Sequence, residues 1–249
     1  MTAPGRIRAG IGGWTYEPWR GTFYPPKLAK ARELEYAASR LTAIEVNGTF
    51  YSAQTPATYA RWRKAAPDGF VYALKAGRFC TQRKDLSQAG ESIAKFLGQG
   101  IVELGEKLGP ILWQLPATKK FDVEQIKAFL ALLPPAQDGL PLRHAIEPRH
   151  ESFDDPAFFA LARAAGLAVV FADSPKYPCF GEQTGPFTYA RLQHAREEVA
   201  TGYDAQALDR WARKAGDWAQ GGREVFVFFI NGAKLRAPAA AEAFLKRLG

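Results

Sequence analysis

The stretch "GPILWQLPATKKFDVEQIKAFLALLPPAQDGLPLRHAIEPRH", residues 109–150, reads as a strand, a helix and a second strand. Residues 109–116 are a short apolar run that ends in polar and turn-forming residues. Residues 122–134 carry Val123, Ile126, Phe129, Leu130 and Leu133 at the three- and four-residue spacing of an amphipathic helix. Residues 143–150 are again strand-like, with Ala145 and Ile146 as buried positions. Such a unit builds parallel sheets, because two parallel neighbours can be joined only by a long crossover.

The same alternation runs outward in both directions. Further strands are read at 7–13, 43–50, 70–77, 167–174, 187–194 and 224–232. Helical segments fall at 31–41, 56–67, 91–109, 155–166, 204–221 and 237–249, and only 175–186 looks like a loop between strands. No linker, repeat or low-complexity segment divides the chain, so one domain over 1–249 is expected. Eight strands separated by helices in a chain of this length predict a single (β/α)8 TIM-like barrel with the helices outside. An open doubly wound sheet would show G-x-G-x-x-G after an early strand. "GIGGWTYEPWRG" (10–21) has glycines, but Trp14, Thr15 and Tyr16 follow them and open no helix.

Composition narrows the class. Hydrophobic residues make up 47% and charged residues 23%, the balance of a soluble globular protein. No apolar run approaches the roughly 20 residues that span a bilayer. The N-terminal stretch lacks a secretory pattern, so a cytoplasmic protein with no membrane partner is expected. Cys80 and Cys179 fit neither a disulfide framework nor a zinc spacing. The net charge of +8 favours acidic partners, nucleic acid among them, although scattered lysines and arginines also serve solubility.

Side chains alternate between the two faces of a strand. Glu45 and Asn47 share one face of the second strand, and Lys75 falls with Ala73 on the third. Gln114 lies opposite Trp113, Glu147 and Arg149 share a face, and Arg191 goes with Tyr189 and Gln193. Asp173 lies opposite Val170 and Ala172, and Asn231 closes the last strand. Nearly every strand thus places a polar residue near its C-terminal end, where barrel strands converge on the mouth that carries active sites. For each residue alone, an ion pair inside the barrel is the structural alternative.

Three carboxylates (Glu45, Glu147, Asp173) and three cations (Lys75, Arg149, Arg191) suit a substrate that is anionic or rich in hydroxyls. Lys75 reads either as a salt-bridge partner or as a Schiff-base nucleophile. His144 has the helix-facing parity of a structural residue, whereas His150 is placed for acid–base work or for loop packing. A divalent metal would have to draw on Glu45, Glu147, His150, Asp173 and His194, and no compact motif such as H-E-x-x-H supports one. Trp14 and Tyr16, in an aromatic N-terminal loop, are expected either to stack on a ligand or to pack as a lid.

The blocks "GGWTYEPWRGTFYPP", "IEVNGTFY", "FVYALKAGRF", "LGPILWQLP", "AIEPRH", "FADS" and "YARL" resemble, in order, those of the YecE-like family, domain of unknown function 72. The resemblance implies a TIM barrel and a cytoplasmic protein, with no established reaction. It carries the family's polar positions onto Glu45, Asn47, Lys75, Gln114, Glu147, Arg149, His150, Asp173 and Arg191. The family usually has Arg-x-His-Gly where this chain has Arg191-Leu192-Gln193-His194, and often paired asparagines where it has Ile230-Asn231-Gly232.

The resulting expectation is metal-independent acid–base chemistry on a small anionic or polyhydroxylated substrate, with no cofactor. Glu45, Glu147, His150 and Asp173 are the catalytic candidates. Asn47, Lys75, Gln114, Arg149, Arg191, Asn231, Trp14 and Tyr16 are the binding candidates. Replacing Glu147 with Gln is expected to leave folding nearly intact. A metal-dependent phosphoesterase and a non-enzymatic nucleic-acid-binding barrel are the alternatives.

Overall fold

In the computed structural model, which describes residues 3–249, β1 (Ile7–Gly12) pairs with β2 (Ala43–Val46) on one side and β8 (Glu224–Phe229) on the other. The ring continues from β2 through β3 (Val71–Lys75) and β4 (Leu108–Gln114) to β5 (His144–Glu147), every pairing parallel. From β8 it runs back to β7 (Phe187–Leu192). The sixth strand, β6, closes the barrel in two pieces: Ala168–Val169 pairs with β5, and Phe171–Asp173 pairs with β7. At the break, the Val170 amide donates to the Ile146 carbonyl at 2.9 Å, so the change of partner leaves no orphan donor there.

Connections of eight or more residues separate β2, β4, β5 and β7 from their helices, and polar side chains set where each helix starts. Thr55, Asp122, Asp155 and Asp204 accept amide hydrogen bonds at the starts of the helices Pro56–Ala65, Val123–Ala131, Pro156–Ala164 and Ala205–Trp218. Between strands six and seven no helix forms, as the loop-like sequence 175–186 predicts. The expected helix at 91–109 is interrupted: it ends at Leu97, and Gly100, at φ 102°, turns the chain into a 3₁₀ segment over Ile101–Lys107. No helix among the described residues is long and apolar enough to cross a membrane.

The lumen is filled unevenly. Ala43, Ala73, Ala145, Ala168 and Ala172 face inward from β2, β3, β5 and β6, and Tyr189, Phe226 and Phe228 from β7 and β8 occupy the space they leave. β1 contributes Gly10, where any Cβ would sit 1.7 Å from the Ala43 carbonyl oxygen. Below this apolar layer, Arg8 and Arg143 both bind Glu224 and plug the N-terminal end. Above it, the inward positions become polar on strand after strand, and this layer forms the site.

Candidate active site

Arg191, at the end of β7, is fully buried and stands between two carboxylates. Its Nε and Nη2 donate to the two oxygens of Glu45 at 3.0 and 3.1 Å, and its Nη1 donates to Glu147 Oε2 at 2.7 Å. Glu45 also accepts from the Tyr189 hydroxyl at 2.8 Å. Glu147 accepts from Gln114 Nε2 and from Arg149 Nε, each at 2.9 Å. Burial alone would raise the Glu147 pKa, but the guanidiniums of Arg191 and Arg149 outweigh it and hold the carboxyl below its usual range. Arg191 is correspondingly held protonated: burial alone would lower its pKa, but the charges of Glu147 and Glu45 together outweigh it and raise it. The floor is therefore a neutral, closed network of two carboxylates and two guanidiniums.

Above that floor lies a cavity of about 480 Å³. Lys75, Arg149, Arg191 and Lys234 line it, together with the amides of Asn47, Gln82, Gln114 and Asn231 and the rings of Trp19, Phe50 and Tyr51. Among the described residues, no carboxylate is part of its wall. Lys75 Nζ sits 4.1 Å from the centre of the Phe50 ring, and Lys234 Nζ sits 4.4 Å from that of Tyr16. Among the described residues neither amine is ion-paired with a carboxylate. Burial, then the charge of Arg191, pulls the Lys75 pKa down to about 8. Burial also lowers that of Lys234.

The expected residues separate into those that meet and those that do not. Asn47, Lys75, Gln114, Arg149, Arg191 and Asn231 reach the cavity, while Glu45 and Glu147 lie beneath it. Asn47 follows β2 directly, since the strand expected to run to residue 50 ends at Val46 and a helical turn, Gly48–Tyr51, takes over. That turn swings Phe50 over Lys75. Asn231, at φ 62°, donates from Nδ2 to Gln193 Oε1 at 3.2 Å, while Gln193 Nε2 is buried without a partner.

Asp173 and His194 fall elsewhere. Ala172 points into the lumen, so its neighbour Asp173 points out, and so does His194 beyond Gln193. The two side chains face each other at 3.7 Å in a separate cleft with Arg210, Trp211 and Lys214. Burial raises the Asp173 pKa there, against the charges of His194 and Lys214. Strand parity carries this signal, because Asp173 alternates with Ala172.

His150 is likewise turned away from the cavity. Its Nδ1 accepts from the Ser152 amide at 3.1 Å and lies 2.9 Å from the Ser152 hydroxyl, capping the 3₁₀ turn Glu151–Phe153. His144 is held neutral by burial, accepting from Trp113 Nε1 at 3.1 Å while its Nε2 lies 2.8 Å from the Pro134 carbonyl. Trp14 packs edge-on against Trp62 at 5.2 Å instead of facing the cavity. Tyr16 packs edge-on against Trp19, which supplies the cavity wall. Sequence reading missed Lys234, Phe50 and Gln82, all on loops or turns where no periodicity marks a face. Among the described residues, no three His, Cys, Asp or Glu side chains gather as a metal site requires.

Comparison with known proteins agrees with the barrel. The family model described as "Protein of unknown function DUF72" matches residues 8–249. The chain is similar to the UPF0759 protein YunF of Bacillus subtilis, at 24% identity over 90% of this chain and 88% of the relative. Among solved structures, a DUF72 family protein from Thermotoga maritima superposes with a TM-score of 0.78 and 24% identity, over 98% of this chain and 99% of the other. One from Enterococcus faecalis gives 0.73 and 20%, over 97% and 95%.

Proposed function

The chain belongs to the family described as protein of unknown function DUF72, and we propose that it is an enzyme acting on a small anionic substrate at the C-terminal mouth of its barrel. The observation that carries this reading is the cavity wall, with four cations and, among the described residues, no carboxylate. Two of the four charges are balanced by Glu45 and Glu147 below, which leaves an excess of about two positive charges for a ligand to neutralise. A phosphate monoester or a dicarboxylate has the matching charge.

The geometry supports the following roles. Arg149 and Lys234 hold the anion, Asn47 and Asn231 orient it, and Arg191 fixes the floor. Lys75 carries the proton that the reaction moves, because its pKa near 8 lets it give and take one near neutrality. Glu45 and Glu147 move from the expected role of acid–base groups to that of counter-ions. Glu147, held ionised by two guanidiniums, is a weak base, and Glu45 has both oxygens engaged by Arg191. Calorimetric titration with inorganic phosphate tests the reading: saturable binding that Arg149→Ala weakens supports it, and no binding at low ionic strength sinks it.

A second reading, nucleic-acid binding, has an observation of its own. A groove of about 460 Å³ lined by Arg83, Lys84, Lys119 and Lys120 shares Gln82 and Pro116 with the cavity. Tyr51 and Phe79, 67% and 68% exposed, stand on the adjoining loops. This reading predicts oligonucleotide binding that falls steeply between two salt concentrations and survives Glu147→Gln.

A further inference from the structure

Lys75 and Lys234 both line the cavity without an acidic partner among the described residues, but of the two only Lys75 is buried. A lysine that only balances charge is paired with a carboxylate or hydrogen-bonded to a carbonyl, as Lys107 is to the carbonyls of Arg63 and Ala66. Lys75 has neither kind of partner among the described residues; its amine rests on the Phe50 ring and faces the open cavity. The residue is 8% exposed, and burial and then the Arg191 guanidinium disfavour its positive charge, with a smaller push from Arg149, against the pull of Glu45 and Glu147. A desolvated lysine next to fixed cations is a recurring arrangement for a nucleophilic amine.

We propose that Lys75 condenses with the carbonyl group of a small aldehyde or ketone that also bears a carboxylate or a phosphate, forming an iminium. The inference rests on the anion-binding reading above, since Arg149 and Lys234 supply the hold on the acidic group. The free amine adds to the carbonyl carbon: an N–C bond forms, the carbonyl π pair moves to oxygen, and one N–H proton passes from the nitrogen to that oxygen. The resulting carbinolamine takes up one proton from solvent on its hydroxyl and loses it as water while the nitrogen lone pair forms the C=N⁺ bond. The step needs no oxidant or reductant and is reversible.

Two features of the cavity favour this product. The iminium carries the positive charge of the protonated lysine it replaces, so the Phe50 face that holds one also holds the other. The C=N⁺ group withdraws electrons from the adjacent carbon, which prepares a C–H or C–C bond there for cleavage. The substrate class is thereby narrowed from anions in general to keto or aldehydo acids and carbonyl phosphates. At pH 7 an amine with a pKa near 8 is about one-tenth unprotonated, against roughly one part in 2,500 for an ordinary lysine.

The test is reductive trapping. The full chain is incubated at pH 7.5 with sodium cyanoborohydride and, separately, glyoxylate, pyruvate or dihydroxyacetone phosphate, and the adduct is located by peptide mass spectrometry. The expected result is a single adduct on Lys75 with at least one probe, formed at least tenfold faster than on any other lysine and suppressed by inorganic phosphate. Lys75→Arg, which keeps a cation, should bind phosphate and yield no such adduct. Labelling spread evenly over surface lysines, or none with all three probes, overturns the proposal. If phosphate still binds in an Arg149-dependent way in that event, only the covalent step falls; if phosphate does not bind either, the anion reading falls with it.

Discussion

Arg191 grips Glu45 through two nitrogens, at 3.0 and 3.1 Å, and both residues are shut off from solvent. The pair joins β7 to β2 across the lumen, and the remaining Arg191 nitrogen reaches Glu147 on β5. Three strands that are not neighbours in the ring are thus tied at one level by one side chain. Breaking a buried pair from one side leaves an uncompensated charge, and that governs what mutation here should do.

Arg191→Met is expected to lower stability by about 3–5 kcal/mol at pH 7, because two buried carboxylates lose their shared partner. The loss should shrink toward pH 5 as one of them takes up a proton. Urea unfolding at the two pH values checks both parts, and an equal loss at both would contradict the buried-charge account. For the same reason Glu147→Gln should destabilise the fold measurably, contrary to what the sequence suggests, since Glu147 compensates both Arg149 and Arg191.

Lys75 makes stability depend on alkaline pH, with the sign set by its lowered pKa. The folded amine loses its proton near pH 8, whereas the unfolded one keeps it to about 10.4. Between those values the unfolded state binds more protons, so stability rises with pH. Below pH 8 the desolvated charge costs its full amount, about 3 kcal/mol. Wild type should therefore gain stability relative to Lys75→Met between pH 8 and 9.5. Guanidinium melts of both proteins across that window measure the difference, and parallel curves would refute it.

Lys234 lies on the exposed rim, so Lys234→Ala should leave the unfolding midpoint within experimental error while weakening phosphate binding about threefold to tenfold. The salt dependence of binding should decrease with it. Titration at two ionic strengths provides both numbers.

Asp173 and His194 occupy a cleft outside the lumen. Asp173→Asn is expected to leave phosphate affinity at the mouth unchanged, within twofold. A larger change would mean that the two sites communicate through β6 or β7.

The residues themselves show where sequence reading reached and where it stopped. Period-two alternation alone put Glu45, Lys75, Glu147 and Arg191 on one face of their strands, and a closed parallel barrel has one place for those faces to meet. The same alternation set Asp173 against Ala172 and so pointed it outward, yet its chemistry suggested the site. The extent of the strand at 43–50 was not legible, because Gly48–Tyr51 is equally apolar as strand or as helical turn. That turn carries the Phe50 ring which holds Lys75.

By itself, the sequence determined the barrel and the level in it where charges collect, because strand period and crossover length are local properties of the chain. The pairing emerges on folding: Arg191 between two carboxylates, Lys75 without one among the described residues, His150 turned to its own loop. Those outcomes depend on distances across the lumen and on the paths of the loops after β1, β2, β3 and β8. Such distances are set by ring closure and side-chain packing, which no local pattern records.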